Sequence, residues 1–597
     1  MAKRILFFIG LALLGGCVKT KLNNSIPIVD VSNKSASSIR LFNFYNFNLD
    51  ISVNNVPLTA YTSTNRNGGG GTALGLSLFP TGVWAGQDDG APFYLPRTLF
   101  DKNGKAEVVT SSTTNISYGS APILMDTTLV DDPANPMDYY LLNDGHWRPQ
   151  PRNVPPPTDP THFKIRIINL GAATDIENIV GPVSAVYADG SPADDRLNNV
   201  APGQTSGYVE LPYGSYQFKL FCSQGSTIDI SRQVTELPLV PNYNACVNAP
   251  VPQEAIFSRV RTFKPGGIYS IVVSQNIYDM FDCSTQTHGF LYFNTYRIIT
   301  DLDPGTNATY AHVQAVNALP GGAVTITVDG QSLGGALSYI GSTPADVAQH
   351  ADYATLIKGS HRVEALDAEG AVLANATLTL YPYDNYTVWV YPTTEGKPAL
   401  LFESNDMTGS VYAQNYVLSG SVGAIDDGTN GTPRRHTYNY ALESRFLNLS
   451  TDIPYLTFTN NDQLLLPAYG GQNDSLRPYS AYTNLMPGVL PGPNPDIIYD
   501  LEFHSPYQTR TPGDGNDGGG IPLMLRAYQS LPGPLQELPG SWLTGVPPLN
   551  ARKALVASPA LYGAGLVPAG ENGIYTVALV GKLADGSARM VLIKHNR

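Results

Sequence analysis

The sequence predicts an all-β protein made of tandem antiparallel β-sandwich domains of the immunoglobulin-like kind. Short stretches of alternating apolar and polar residues, frequent Gly/Pro turns and almost no helical periodicity predict it. The 597 residues include 57 Gly and 47 Pro, and 42% are hydrophobic, which is enough for several cores. Because one sheet alone would leave an apolar face in water, two sheets must pack face to face.

The first residues have the pattern of a targeting signal. Lys3 and Arg4 precede an apolar run, residues 5–14, that is too short to span a bilayer. The following Leu14-Gly15-Gly16-Cys17 resembles the lipobox of bacterial lipoproteins. This resemblance implies cleavage before the cysteine and attachment of lipid to its thiol. An ordinary secretory signal with a chance cysteine is the alternative.

A lipidated Cys17 predicts where the mature chain resides. Each buried methylene of an acyl chain contributes about 0.8 kcal/mol to membrane binding. Val18 is not the aspartate that retains lipoproteins in the inner membrane of well-known Gram-negative systems. We therefore expect an outer-membrane, lipid-anchored protein, periplasmic or surface-exposed. Residues 1–16 are then a signal peptide, and residues 17–38, rich in Ser, Asn and Lys, a flexible tether.

A four-fold repeat organises the rest of the sequence. Each unit begins with a short run of apolar, strand-forming residues followed by Asn. A turn pair such as Asp329-Gly330 comes next, and a strand that starts with Tyr, such as Tyr386-Thr387-Val388, lies near the end of the unit. The repeated asparagines are Asn43, Asn169, Asn317 and Asn448. The repeats predict four sandwiches, over residues 39–150, 161–300, 308–405 and 440–597, the last with long insertions.

An apolar-Pro-x-Gly corner recurs within the units. Its clearest copy is Leu211-Pro212-Tyr213-Gly214, and the first and fourth units offer Phe79-Pro80-Thr81-Gly82 and Leu485-Met486-Pro487-Gly488. After the clearest corner, Tyr216, Phe218 and Leu220 alternate with Gln217 and Lys219, which predicts a strand buried on one face only. The best helix candidate is residues 344–354. Proline-rich residues 148–160 predict a stiff spacer, and residues 406–435 a looser linker.

Three of these motifs together resemble a known family. Val-x-Val-Asp-Gly, Gly-Tyr-Val-x-Leu-Pro-x-Gly-x-Tyr and Tyr-Thr-Val follow in the order typical of the bacterial domain family of unknown function DUF 4397. The match is best over residues 161–300 and 308–405. The resemblance implies tandem sandwich domains in a secreted protein or lipoprotein. The family has no established catalytic residues, so none can be assigned here.

Three cysteines remain after Cys17, and all lie in the second unit. Thiols outside the cytoplasm tend to pair, so one disulfide and one leftover thiol are expected. The candidates are Cys222, Cys246 and Cys283, with Cys246–Cys283 favoured because it would pin a long insertion. Three buried, reduced thiols are the alternative. No Cys-x-x-Cys spacing supports a zinc site.

The sequence contains no clear catalytic or ligand-binding motif. The net charge of −13 argues against nucleic acid, and no nucleophile elbow, zinc-protease or Walker motif occurs. Residues 513–518 match a dinucleotide-binding or calcium-binding loop only superficially, so a solvated loop is favoured and no cofactor or metal is expected. The acidic pairs are better explained as turn formers than as catalytic carboxylates; they are Asp88-Asp89, Asp131-Asp132, Asp194-Asp195 and Asp426-Asp427.

Aromatic residues suggest binding rather than catalysis. Tyr suits both stacking and hydrogen bonding, although most tyrosines are expected to pack in the sheets. The densest cluster is Tyr381, Tyr383, Tyr386, Trp389 and Tyr391. The insertion of residues 510–549 is the best candidate for a long functional loop, because loops on rigid sandwiches often bind ligands. The sequence thus predicts a non-enzymatic, lipid-anchored cell-envelope protein used for binding, adhesion or scaffolding. The alternative is a glycan-binding accessory lipoprotein of an outer-membrane polysaccharide uptake system.

Overall fold

The structure is a computed structural model, and the regular secondary structure of its described residues is almost all β-strand. It divides into two compact units: residues 1–41, 47–84 and 93–139, and residues 42–46, 85–92 and 140–597. The described residues are 36–44, 49–57, 93–112, 123–152, 154–174, 180–224, 227–236, 258, 260–282, 287–305, 307–342, 349–350, 353–382, 385–405, 410–412, 435–437, 441–460, 464–465, 482–490, 497–500, 524–533, 538–550 and 573–597.

The first sandwich has two four-stranded sheets, with strand orders β4-β1-β7-β8 and β3-β2-β5-β6. Its strands are β1 (Ala36–Asn43), β2 (Leu49–Val53), β3 (Val56–Pro57), β4 (Phe93–Pro96), β5 (Lys105–Ser112), β6 (Ile123–Val130), β7 (Met137–Leu141) and β8 (Trp147–Pro151).

In the second sandwich the two layers share one seven-stranded sheet, of order β10-β13-β14-β17-β16-β9-β11, and β12 pairs with β15. The layers join because β14 of one layer pairs with β17 of the other, in parallel, at Thr235–Thr295 and Glu236–Tyr296. The strands are β9 (His162–Leu170), β10 (Val183–Val186), β11 (Val209–Pro212), β12 (Gly214–Tyr216), β13 (Lys219–Gln224), β14 (Thr227–Glu236), β15 (Arg261–Phe263), β16 (Ile268–Asp282) and β17 (Thr287–Leu302).

The third sandwich has the sheets β22-β18-β25-β26 and β20-β19-β23-β24. Its strands are β18 (Tyr310–Asn317), β19 (Thr325–Val328), β20 (Gln331–Ser332), β21 (Gln349–His350), β22 (Ala354–Ile357), β23 (Gly359–Leu366), β24 (Val372–Leu380), β25 (Asn385–Pro392) and β26 (Pro398–Asn405). A two-stranded sheet follows, formed by β27 (Ser410–Tyr412) and β28 (Arg435–Thr437).

The fourth sandwich has the sheets β21-β37-β36-β29-β32 and β31-β30-β33-β34, with β35 paired to β33. Its own strands are β29 (Ala441–Asn448), β30 (Leu456–Asn460), β31 (Leu464–Leu465), β32 (Ile497–Asp500), β33 (Met524–Gln529), β34 (Ser541–Trp542), β35 (Leu549–Asn550), β36 (Gly573–Val580) and β37 (Arg589–Lys594).

The all-β fold predicted from the sequence is confirmed, with one difference in strand direction. In the second, third and fourth sandwiches the strand that ends in the repeated asparagine runs parallel to the Tyr-led strand. Side chains alternate with a period of two in parallel and antiparallel strands alike. The sequence pattern therefore predicts the strands but not the direction of this pair.

The repeated asparagine is buried and ties the two sheets of a sandwich together. The side-chain amide of Asn317 donates to the carbonyl of Leu337 at 3.0 Å, and its Oδ1 accepts from the amide of Leu319 at 2.9 Å. Asn448 does the same with Leu485 and Ser450. Each asparagine thus satisfies backbone groups where the chain leaves the first sheet, which explains its recurrence.

Tight turns form where the turn pairs predict them. Asn54 and Asn55 have φ of 49° and 62°, and Asp329 and Gly330 have φ of 50° and 79°. Positive φ at both central residues is the type I′ geometry that suits two-residue hairpins. These turns set the register in which Val53 faces Val56 and Val328 faces Gln331.

Two local predictions are wrong. Within the predicted helix 344–354, the described residues Gln349–His350 and Ala354 belong to strands. In the fourth unit, Leu485 bridges to Leu456, as Val200 bridges to Val183 in the second unit. The Leu485-Met486-Pro487-Gly488 corner therefore corresponds to residues 200–203 and not to residues 211–214, and β32 takes the place of β11. The first-unit copy, residues 79–82, lies outside the described residues.

The proline-rich residues 148–160 do not form a free spacer. Their first part belongs to β8, and the following residues bind the second sandwich. The Thr158 hydroxyl donates to Glu210 Oε2 at 2.6 Å, and Lys164 Nζ donates to the carbonyl of Pro155 at 3.0 Å. The segment is therefore held to the second sandwich at Pro155 and Thr158. Of residues 406–435, only 410–412 and 435 are described.

Candidate functional site

Burial on the outward sheet faces points to the junctions between sandwiches as the candidate site. Lys219 begins β13, and Gln217 lies two residues before it. The alternation predicts that both side chains point away from the core and are exposed, yet both are fully buried. Gln217 is covered by Lys594, whose Nζ donates to Gln217 Oε1 at 3.2 Å. An outward-facing polar side chain in this chain can therefore be a contact to another sandwich.

Apolar packing joins the third and fourth sandwiches. A cluster of buried side chains lies between the sheets that contain β18 and β29. Its buried members are Val316, Ala318, Ile340, Trp389, Leu447, Leu449, Ala578, Val580, Val591 and Ile593. Several of these flank the repeated asparagines, on the face opposite to each sandwich's own core. Strand β21 of the third sandwich also pairs in parallel with β37 of the fourth.

A similar cluster contains residues next to the first two asparagines. Phe42 and Phe44 stand at the positions of Val316 and Ala318 relative to the asparagine. They pack, together with Tyr140 and Leu142, against side chains of the second sandwich: Ile168, Leu170, Val272 and Ile299. Phe42 stacks on Tyr140 with ring centroids 4.7 Å apart.

A buried polar network crosses the junction of the third and fourth sandwiches. Gln314 Nε2 of β18 donates to Nδ1 of His595 at 2.9 Å. His595 Nε2 lies 2.8 Å from Thr576 Oγ1, which donates to Glu403 Oε1 at 2.8 Å. Because Nδ1 accepts, the network assigns the proton of His595 to Nε2. The bonds thus run from one sandwich to the other and back.

The carboxylate of Glu403 is the centre of charge in this network. Its Oε2 accepts from Trp389 Nε1 at 2.7 Å, and its Oε1 lies 3.3 Å from Arg445 NH1. Glu403 and Trp389 are fully buried, and Arg445 is 7% exposed. A buried carboxylate needs such partners because burial removes its hydration. Arg445 comes from the fourth sandwich, so the charge on Glu403 is balanced across the junction.

Burial and charge lower the pKa of His595. Desolvation, helped by the nearby Arg445 guanidinium, lowers the pKa of His595 from 6.5 to about 3. The imidazole is therefore neutral at physiological pH and can accept and donate as the network requires. Although the Thr576 hydroxyl lies beside this histidine, Thr576 is fully buried and does not form an open nucleophilic site. The arrangement holds two sheets together.

A second histidine lies between the second and third sandwiches. The ring of His312 stacks on Tyr213 with centroids 3.9 Å apart, and its Nδ1 lies 3.0 Å from Asn385 Oδ1. Desolvation lowers the pKa of His312 to about 4. Tyr213 belongs to the apolar-Pro-x-Gly corner, so the corner supplies a contact between sandwiches as well as a turn.

The predicted site residues have different outcomes. Cys17, Cys246 and Cys283 lie outside the described residues, so the lipidation and the disulfide stay predictions. Cys222 is buried in the core of the second sandwich, 1% exposed. Residues 513–518 and the acidic pairs at 88–89 and 426–427 also lie outside the described part.

Within the described acidic pairs, Asp132 and Asp194 form turns, whereas Asp131 does not: it accepts from the distant Ser38 amide at 2.7 Å and from Arg97 Nε at 2.9 Å. Asp132 Oδ1 accepts from the Ala134 amide at 2.9 Å, and Asp194 Oδ1 accepts from the Arg196 amide at 2.9 Å. Side-chain hydrogen bonds to Asn135 and Arg196 respectively contribute most to lowering the pKa values of the two carboxyls. Among the described residues, no group of three or more His, Cys, Asp or Glu side chains could hold a metal ion.

The aromatic cluster is mainly structural. Trp389 is fully buried and Tyr386 is 6% exposed, whereas Tyr381 is 62% exposed. Tyr383 is not described. Residues 510–549 are only partly a loop, because β33 and β34 lie within them and Leu525 and Leu543 belong to the core. Within the described part of the chain, no helix is long and apolar enough to cross a bilayer.

The junction residues are the functional candidates that the sequence pattern misses. Gln314 and Arg445 stand at the same place in their repeats, three residues before the asparagine, as do Arg40 and Arg166. The sequence does hold one indication of these residues, namely a polar residue at this place in an otherwise apolar strand. It does not reveal which sandwich supplies the partner.

The chain shows only distant similarity to the solved structures described below. No family model and no curated protein match the chain. A solved structure described as alpha-glucan recognition by family 41 carbohydrate-binding modules from streptococcal virulence factors is 8% identical, with 40% of this chain and 96% of that chain covered and a TM-score of 0.11. The Bacillus anthracis TIE protein is 10% identical, with 69% and 57% covered and a TM-score of 0.10. Scores this low carry no argument about function.

Proposed function

We propose that the chain is a non-enzymatic, lipid-anchored protein of the bacterial cell envelope that serves binding, adhesion or scaffolding. The observation that carries this proposal is the buried network from Gln314 through His595 to Glu403. Such a network holds neighbouring sandwiches in a fixed geometry, which suits a protein that presents surfaces to partners. The sequence Leu14-Gly15-Gly16-Cys17 supports an anchor at the start of the mature chain.

The anchor is tested by labelling cells that express the full chain with a fatty-acid probe. We expect label in the protein and its recovery in outer-membrane fractions, both lost in Cys17→Ser. Cys222→Ser is the matched control and should keep the label. A labelled Cys17→Ser protein, or an unlabelled native one, would contradict the anchor.

The binding role is tested with the anchored protein on whole cells. Cells that display it should attach to a protein matrix or to other cells more than cells that express Cys17→Ser. Surface digestion with protease should abolish the difference. Equal attachment by both strains, with the native protein shown at the surface, would contradict adhesion.

An exposed strip on the third sandwich favours glycan binding as a second candidate function. Along β24 and just beyond it, Thr377, Thr379 and Tyr381 are exposed, while the intervening Leu378 and Leu380 are buried. On the neighbouring strand, Ser360 faces Thr379 and Arg362 faces Thr377. A tyrosine ring in line with hydroxyl groups offers stacking and hydrogen bonds to a sugar chain.

Affinity electrophoresis through a panel of polysaccharides tests this candidate. The native protein should be retarded by at least one glycan, and Tyr381→Ala should lose most of the retardation. Tyr292→Ala, which changes another exposed tyrosine, should behave like the native protein. Retardation by no polysaccharide, or equal retardation of both variants, would reject the strip as a glycan site.

A further inference from the structure

The last residues of the sequence touch three sandwiches. The amide of His595 donates to the carbonyl of Ile574 at 2.8 Å, which continues the pairing of the fourth sandwich. Its side chain bonds to Gln314 of the third. The amide of Arg597 then donates to the carbonyl of Ser215 at 3.1 Å, in the second.

Two backbone hydrogen bonds of Arg597 form the contact to the second sandwich. The amide of Gln217 donates to the carbonyl of Arg597 at 2.7 Å, and the amide of Arg597 donates to the carbonyl of Ser215. Bonds from one residue to the two neighbours of another have the pattern of a parallel bridge, here with Tyr216 opposite Arg597. The segment therefore adds to the edge of the second sandwich as a strand would.

Side chains reinforce this backbone pair. The Arg597 guanidinium lies over the ring of Tyr187 at 4.6 Å, and Lys594 Nζ lies 5.6 Å from the ring of Tyr575 while bonded to Gln217. Lys594 and Asn596 are each 1% exposed. Charged and polar side chains this deeply buried are held where they are by specific partners.

We propose that residues 594–597 form a clasp that locks the second sandwich onto the third and fourth. The clasp makes the three sandwiches unfold together, and releasing it frees the edge at residues 215–217 while the sandwiches remain folded. The clasp acts in this way whatever ligand or partner the protein binds.

The test compares two substitutions at one position in the full-length protein. Arg597→Pro removes the amide that donates to Ser215, whereas Arg597→Lys keeps that amide and the cation. Hydrogen exchange measured by mass spectrometry should show the Gln217 amide protected in the native protein and in Arg597→Lys. In Arg597→Pro we expect its exchange to rise roughly five- to tenfold, in line with the loss of about one hydrogen bond.

A gentler pair of variants covers the case in which Arg597→Pro fails to fold. Lys594→Met removes the bond to Gln217 but keeps an apolar stem over Tyr575, and Lys582→Met changes an exposed lysine of the same sandwich. Faster exchange at Gln217 in Lys594→Met alone supports the clasp. A native Gln217 amide that exchanges like an unstructured chain, or equal exchange in each variant pair, overturns it.

Discussion

The same place in the repeat is used in different ways in the first and the third sandwich. In the first sandwich, Arg40 Nε donates to Asp138 Oδ1 at 2.7 Å, and both side chains are fully buried. In the third sandwich the corresponding Gln314 bonds to Thr387 at 2.7 Å and also to His595 of the fourth. The charges of Arg40 and Asp138 are neutralised within one sandwich, whereas Gln314 binds a residue of the neighbouring sandwich.

This difference shows how one repeated fold acquires two kinds of interior. A buried ion pair is satisfied locally and is costly to break, because either partner alone becomes a buried charge. A network of amide, imidazole and hydroxyl groups can connect two sandwiches although none of these groups carries a charge. The remaining charge, on Glu403, is placed against Arg445 from the neighbouring sandwich.

The largest expected effect is the loss of stability in acid, which should be greater at the junctions that contain His312 and His595 than in the first sandwich. The pKa values of His595 and His312 are lowered to about 3 and about 4 from 6.5. The unfolded chain therefore binds these protons at higher pH than the folded protein does, so the stability is fully present above about pH 6.5. Below that pH it falls by about 1.4 kcal/mol per pH unit for each histidine, until the folded-state pKa of about 4 for His312 and about 3 for His595 is passed. Residues 1–41, 47–84 and 93–139 contain no histidine and lack this contribution.

Denaturant unfolding between pH 7 and pH 4, followed by near-UV circular dichroism, measures this dependence. His595→Gln should remove about half of the slope between pH 6 and pH 4. Replacing the partly exposed His361 by Gln serves as the control and should leave most of it. A slope unchanged in His595→Gln would show that the junction does not titrate as described.

The ion pair of the first sandwich is the next largest effect. Asp138→Ala leaves the Arg40 guanidinium buried without its bidentate partner, so we expect a loss of about 3–5 kcal/mol in the free energy of unfolding. The double variant Arg40→Met/Asp138→Leu should recover most of that loss. Denaturant unfolding measures both, and a loss under about 1 kcal/mol in Asp138→Ala would show that Arg40 and Asp138 do not form a buried ion pair.

Glu403→Gln should weaken the junction of the third and fourth sandwiches. It removes the charge that three donors share, so we expect a loss of about 2–3 kcal/mol and a split thermal transition. Glu395→Gln is the control: its carboxylate pairs with Lys397 but is 72% exposed, so it should cost less than about 0.5 kcal/mol. Two variants with equal melting curves would show that Glu403 does not couple the sandwiches.

The smallest effect concerns a turn. Asn55 of the first sandwich has φ of 62°, and the third sandwich has Gly330 at the corresponding position. Asn55→Gly should therefore stabilise the hairpin by a few tenths of a kcal/mol, whereas Asn55→Ala should cost about 1 kcal/mol. Thermal unfolding ranks the three proteins, and a more stable alanine variant would contradict the type I′ turn.

The sequence by itself predicts the elements that depend on local chemistry. The repeated asparagines, the Asn54-Asn55 and Asp329-Gly330 turns and the period-two strands follow from what each residue allows its own backbone to do. The all-β architecture follows because alternating strands must bury one face each. These inferences need no partner that is distant in the chain.

Only the tertiary structure decides which outward faces are buried. Gln217 has the pattern of an exposed strand residue, yet residues 594–597 cover it. Glu403 and Arg445 meet only because two sheets pack together across a junction. Alternation reports that a side chain leaves its own core, but the burial of that side chain depends on a surface supplied by a sequence-distant sandwich, and local propensity does not encode that contact.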